Sequence, residues 1–154
     1  MKTVRLRLRQ PEMSELTELS ALCQRSKAHW GYDSAFIAAC AQELTVTEDE
    51  LRMDVFQLAV KDTEVLGMAQ LHFSAAEVEM DRLYVDPNAI GMGVGQRLFA
   101  WAITEAKSRG AVRMKVVADP HAVGFYQHMG ARIVGETPSG SIPGRMLPEL
   151  SLDL

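Results

Sequence analysis

An α/β fold of the α+β kind is what this sequence predicts, as one domain over residues 1–154 with helices on both faces of a mixed, mostly antiparallel sheet. Three observations predict it. Segments that alternate apolar and polar residues are interspersed with segments of helical period. Strand-like runs at 55–61, 65–73 and 77–85 are separated only by short turns, too short for parallel crossovers. The 154 residues are 47% hydrophobic and 23% charged, enough apolar side chain for one soluble core and too much for a disordered chain.

The elements follow in order. Val4, Leu6 and Leu8 alternate with Arg5, Arg7 and Arg9, a half-buried strand. Pro11 opens a helix at a position that needs no N–H, and Leu16, Leu19, Leu22 and Cys23 mark its apolar stripe to about residue 30. Asp33 or Ser34 caps a second helix carrying Phe36, Ile37 and Cys40. Thr47 and Glu50 have capping-box spacing for one short turn. The runs 55–61 and 65–73 form a hairpin about Asp62-Thr63-Glu64, and 77–85 alternates again until Asp86-Pro87. A long helix spans 93–109 and stops at Gly110. An apolar strand at 112–118, a short helix from Asp119-Pro120 to His128, and a strand at 131–136 follow. Residues 138–148 read as a loop rich in Gly, Ser and Pro, and 150–154 as a last strand.

The net charge of −4 argues against a nucleic-acid partner, because neutralising a polyanion takes a basic surface. It leaves room for one small anionic ligand held locally. Cys23 and Cys40 make no disulfide framework, and no His, Cys, Asp and Glu set has the spacing of a metal site. No apolar run approaches the roughly 18 residues a bilayer span needs, and the Arg-interrupted N-terminus is no signal peptide. The expected location is therefore the cytoplasm, with no membrane partner.

Chemistry concentrates in Leu83-Tyr84-Val85-Asp86-Pro87-Asn88-Ala89-Ile90-Gly91-Met92-Gly93-Val94-Gly95-Gln96-Arg97-Leu98. This is strand, turn, alternating glycines, helix. Glycines let the backbone approach a ligand, and the helix's first turn presents free N–H groups with about half a positive charge. A plain glycine turn would also use this pattern. A Rossmann site would need the loop after the first strand of a parallel unit and an acid about 20 residues on, and a P-loop would need Lys where Gln96 stands.

The order strand, Pro turn, Gly-x-Gly-x-Gly, helix, strand, short helix with Phe125-Tyr126, then Gly130-Ala131 resembles the GNAT superfamily of acyl-CoA-dependent N-acetyltransferases. The central motif falls on Ile90-Gly91-Met92-Gly93-Val94-Gly95, and Asp119 through Ala131 is similar to the family's second block. Residues 77–131 carry the match. Ile90 stands where the family has Arg or Gln, and Asp119 where Asn is common.

The resemblance implies a sheet splayed between its fourth and fifth strands, with the pantetheine arm of acetyl-CoA paired to the backbone of Leu83 and Val85. Tyr84, Asp119, Ala122, Phe125 and Tyr126 would complete the contacts to the cofactor arm. Ile90, Gly91, Met92, Gly93, Val94, Gly95 and Gln96 would hold its pyrophosphate. The acceptor, a primary amine on a small molecule or a protein N-terminus, would attack the thioester directly. Tyr126 is the expected acid for the leaving thiolate. Glu79 is the expected base, six residues before Val85 and so on the same strand face by period two. His29, Trp30, Tyr32, His72, Glu79 and Asp81 are the expected acceptor contacts. No metal is expected, and a homodimer is compatible. The alternative is a module of the same fold that binds acyl-CoA without turnover, which the departures at Ile90 and Asp119 favour.

Overall fold

The computed structural model describes residues 5–154. Val4, part of the expected first strand, lies outside the described residues. The strands are β1 (Arg7–Arg9), β2 (Val55–Lys61), β3 (Glu64–Ser74), β4 (Glu77–Val85), β5 (Arg113–Val117), β6 (Arg132–Pro138) and β7 (Met146–Asp153). The helices are α1 (Leu16–Ala28), α2 (Ser34–Ala39), α3 (Glu48–Met53), α4 (Val94–Ser108) and α5 (Val123–His128). Local chemistry sets their ends. Asp33 accepts the Phe36 N–H at 2.8 Å at the start of α2, and Thr47 and Glu50 close a capping box on α3.

The strands form one sheet in the order β1-β2-β3-β4-β5-β7-β6. Every neighbouring pair is antiparallel except β4 and β5. On one face α1 and α2 bury Leu19, Leu22, Cys23 and Cys40 against Phe56, Leu58 and Met68. On the other, α4 buries Leu98 against Ala59 and Ala69, and Phe99 against Leu71, Val78, Met80 and Met114. Burial pushes the Cys23 thiol up to about 12 and Cys40 to about 11, so both act as small apolar residues. Among the described residues, no helix is long and apolar enough to cross a membrane.

The last strand differs from expectation. It begins at Met146 and runs through Pro148, inside the expected loop. Its pairing with β5 ends at Val117 opposite Glu149, and the Pro148 carbonyl accepts the Ala118 N–H at 2.9 Å. Pro148 has no N–H to return to the Ala118 carbonyl, so the pairing of β7 with β5 closes at this residue.

One irregularity positions the site. In the β3–β4 ladder Gln70 lies opposite Arg82 but Leu71 lies opposite Met80, so Asp81 is an extra, unpaired residue. Such a bulge bends and twists its strand. β4 pairs with β5 only through Glu77, Val78 and Glu79, and beyond Glu79 the two strands diverge.

Candidate active site

Past the β4–β5 divergence, three hollows lie end to end. The first, about 370 Å³, is floored by the turn after β4 and the start of α4; Val85, Ile90, Gly91, Gly93, Gln96 and Phe125 line it. The second, about 130 Å³, is the throat between the splayed strands, lined by Met80, Asp81, Leu83, Tyr84, Ala122 and Tyr126 among others. The third, about 310 Å³, shares Asp81, Arg82 and Tyr84 with the throat and adds Glu50, Glu79 and Gly140.

The first hollow suits an anion for backbone reasons. Gly93 begins α4 at φ +79, with Gly91 at φ +87, a region that L side chains adopt at a cost of about 1–2 kcal/mol. No side chain caps α4, so the first-turn N–H groups of Val94, Gly95 and Gln96 are left to a ligand. The Met92 N–H is engaged by the Ala89 carbonyl at 3.1 Å, and its side chain packs on the core, so Met92 shapes the turn rather than the hollow's wall. Ile90 is 52% exposed at the rim and offers no donor. An Ile90→Arg variant is expected to tighten acetyl-CoA binding about three- to tenfold, as a partly exposed charge-assisted contact should, and to lose the gain in high salt. Calorimetric Kd values at two salt concentrations check this; an unchanged Kd would mean the side chain does not reach the bound anion.

Gly67, unremarked in the sequence, holds this helix end close to the sheet. A Cβ there would sit 2.6 Å from Val94 Cγ1 and 3.1 Å from the Tyr84 carbonyl oxygen. No sequence pattern flags it, because the approach involves residues far along the chain.

At the throat, Tyr126 is buried among Phe99 and Phe125, and among the described residues its hydroxyl has only the Met80 sulfur, at 3.9 Å. A thioether is a weak acceptor. Burial drives the phenol's pKa well above its ordinary value, so the group stays protonated. Tyr84 is held up in the same way. Leu83 and Val85 pack toward α4, while Tyr84 packs toward α1 and α2.

Asp119 caps the turn before α5 by accepting the His121 N–H at 2.9 Å. It also binds Lys27 Nζ at 2.8 Å and the Tyr32 hydroxyl at 2.9 Å, with Arg145 at 3.6 Å. Burial works to raise its pKa, but the Lys27 and His121 hydrogen bonds outweigh that and hold it below the usual carboxylate range. Its negative charge is therefore compensated by Lys27 and Arg145. Tyr32, an expected acceptor contact, has its hydroxyl taken up here, since Arg145 donates to it at 2.7 Å. Trp30 reaches the throat and stacks on His121 at 5.1 Å, with His29 edge-on to it at 5.0 Å.

On the acid-lined side, the bulge changes the expected geometry. Val78 and Met80 face α4 before it, and Leu83 and Val85 after it. Glu79 and Val85 therefore lie on opposite faces: the period-two argument fails because the extra residue at Asp81 reverses the alternation. Glu79 lines the outer hollow, in register with His72 on β3 and Lys115 on β5. Asp81 lines both the throat and the outer hollow. Although its residue reaches solvent, burial of the carboxyl, then repulsion from Glu79 and Asp54, lifts it to about 6. Arg82 folds behind the strand, donating to Gln70 Oε1 at 2.6 Å, to the Glu43 and Thr45 carbonyls, and to Glu50.

Comparison with known proteins agrees with this architecture. The model of the acetyltransferase (GNAT) family matches residues 15–131. The chain is 34% identical over 73 residues to the peptidyl-lysine N-acetyltransferase YjaB of Salmonella typhimurium, a match covering 47% of this chain and 48% of that protein. The chain thus matches about half the length of that curated relative. The PaiA N-acetyltransferase of Thermoplasma acidophilum in complex with coenzyme A superposes with a TM-score of 0.82 at 18% identity, covering 97% of this chain and 99% of that one. A GCN5-related N-acetyltransferase from Rhodopseudomonas palustris gives 0.83 at 21% identity, covering 100% and 99%. With a Gly-cradled helix start beside a bulged, splayed strand and a family match over most of its length, this chain belongs to the acetyltransferase (GNAT) family.

Proposed function

We propose that this protein moves an acetyl group from acetyl-CoA to a cationic primary amine. The observation that carries the reading is the buried, protonated Tyr126 hydroxyl at the throat, between a hollow suited to a pyrophosphate and one lined by carboxylates. In this reading the N–H groups at the start of α4 hold the pyrophosphate, and the unpaired edge of β4 beyond Glu79 receives the pantetheine arm. The amine enters past Glu79 and Asp81.

Of these two carboxylates, Asp81 is the better base, because it reaches the throat as well as the outer hollow and its pKa of about 6 lies near the working pH. It takes one proton from the ammonium. The neutral nitrogen then attacks the thioester carbonyl carbon, the C–S bond breaks, and Tyr126 protonates the departing thiolate. The second proton of the acylated nitrogen passes back to Tyr126, leaving a neutral amide and the first proton on Asp81 for release to solvent. Glu79 attracts the cation without touching the bond being formed. The lysine acceptor named for the Salmonella relative is of this cationic class.

Thiol release from acetyl-CoA over a panel of lysine peptides, N-terminal peptides and small di- and polyamines tests the proposal. Turnover is expected with amines that carry positive charge. Tight acetyl-CoA binding with no thiol released on any amine would instead favour a sensor module of the same fold.

A further inference from the structure

The acceptor side holds a second group of side chains that the acetyl-transfer scheme leaves unused. Asp54, the residue that ends α3, has a side chain only 8% exposed and receives two hydrogen bonds. Gln70 Nε2 donates to one of its oxygens at 2.7 Å, and His72 Nδ1 lies 2.8 Å from the other. The His72 ring is thereby pinned through one nitrogen while its side chain stays 48% exposed. One polar atom each of Asp54, His72 and Asp81 lie within 4.8 Å of one another.

The bulge lies beside this group: Asp81 is the extra residue between Met80, opposite Leu71, and Arg82, opposite Gln70, and it lines the same outer hollow as Glu79. Gln70 and His72, two residues apart on β3, share one face, so a single run of hydrogen bonds links Arg82, Gln70, Asp54 and His72. Charges face this group from three elements: Asp54 and Glu50 at α3, Glu79, Asp81 and Arg82 on β4, and Lys115 on β5, which is drawn to Glu149 at 3.6 Å. Arg82 is committed to Glu50 and to two backbone carbonyls. His72 has a ring nitrogen within 4.8 Å of an Asp81 carboxylate oxygen.

We infer that His72, pinned by Asp54, is a positioning residue for the acceptor site: the counter-charge that keeps Asp81 an acceptor of the amine proton. This rests on the base role proposed for Asp81. The hydrogen bond to Asp54 raises the His72 pKa, with smaller contributions from Asp81 and Glu79, which favours the charged form of the ring. Burial and two neighbouring acids push Asp81 toward its neutral form, and the imidazolium opposes them. Closure of the site by bound acetyl-CoA and amine excludes water, which strengthens the opposition.

The experiment pairs a pH–rate profile with carboxyl-carbon NMR titration of the ligand-free protein. In His72→Gln the Asp81 midpoint and the acid limb of kcat/KM are both expected to move up, by about half a unit to one unit, the size of a partly screened charge at this separation. His72→Lys restores a cation and is expected to bring both back toward wild type. In Asp54→Asn the His72 ring midpoint is expected to fall. An Asp81 midpoint unmoved in His72→Gln overturns the inference even if transfer is robust. Absence of transfer by the wild-type protein defeats the functional reading instead, and the NMR comparison still decides whether His72 sets the charge of Asp81.

Discussion

A Gly93→Asp variant loses acetyl-CoA binding by at least about a hundredfold while the sheet stays folded. Two effects add. The φ of +79 at this position strains any side-chain-bearing residue by about 1–2 kcal/mol, and relief of that strain turns the first N–H groups of α4 away from a common focus. The new carboxylate also stands at the helix start, where it accepts those N–H groups itself and repels a pyrophosphate. A Cβ at Gly93 meets nothing within 4 Å, so the loss is not one of core packing. Calorimetry with acetyl-CoA and thermal melts of both proteins separate the terms. Full-strength binding by the variant would remove the cradle from this helix. Gly93→Ala carries the strain without the charge and is expected to fall between the two.

Tyr126→Phe lowers kcat about a hundredfold with little change in the Kd for acetyl-CoA, within the span that one positioned proton donor contributes. The substitution is expected to be nearly silent for stability, because among the described residues the hydroxyl has only the Met80 sulfur as partner and the ring contacts to Phe99 and Phe125 persist. A buried tyrosine usually finds a strong partner for its hydroxyl. Here that capacity is free at the throat, where a thiolate would leave. The basic limb of the pH profile tests the same point, since burial holds the phenol protonated well past neutrality. Wild-type turnover in Tyr126→Phe would transfer the proton to water.

The cradle was legible in the sequence because backbone chemistry writes itself locally. Alternating glycines, a Pro turn before them and an amphipathic run after them are all short-range requirements, and Val85, Ile90, Gly91, Gly93, Val94, Gly95, Gln96 and Phe125 do line one hollow. Tyr126 was singled out only through the resemblance of the Asp119–Ala131 stretch to the family's second block, and it does fall in the short helix α5. The acceptor side was less legible. Period two put Glu79 on the face of Val85, and one inserted residue at Asp81 reversed that. A bulge has no reliable signature in a strand of nine residues, and it is set by what lies across the ladder. Lys27, Asp54, Gly67, Arg82 and Arg145 carried no motif at all, yet they neutralise Asp119, pin His72 and seat α4.

By itself, then, the sequence determined the element order, the glycine-bound start of α4, and the capped ends of α2 and α3. These depend on neighbours within about four residues, where φ, capping and hydrophobic period act directly. The tertiary structure alone decided which face each β4 carboxylate occupies, which cations compensate Asp119, and which imidazole stands beside Asp81. Those outcomes depend on register between strands and on ion pairs spanning up to 92 residues of chain, as from Lys27 to Asp119. Only the closed sheet brings such distant charges to within a few ångströms of one another, where their Coulomb energy is large enough to matter.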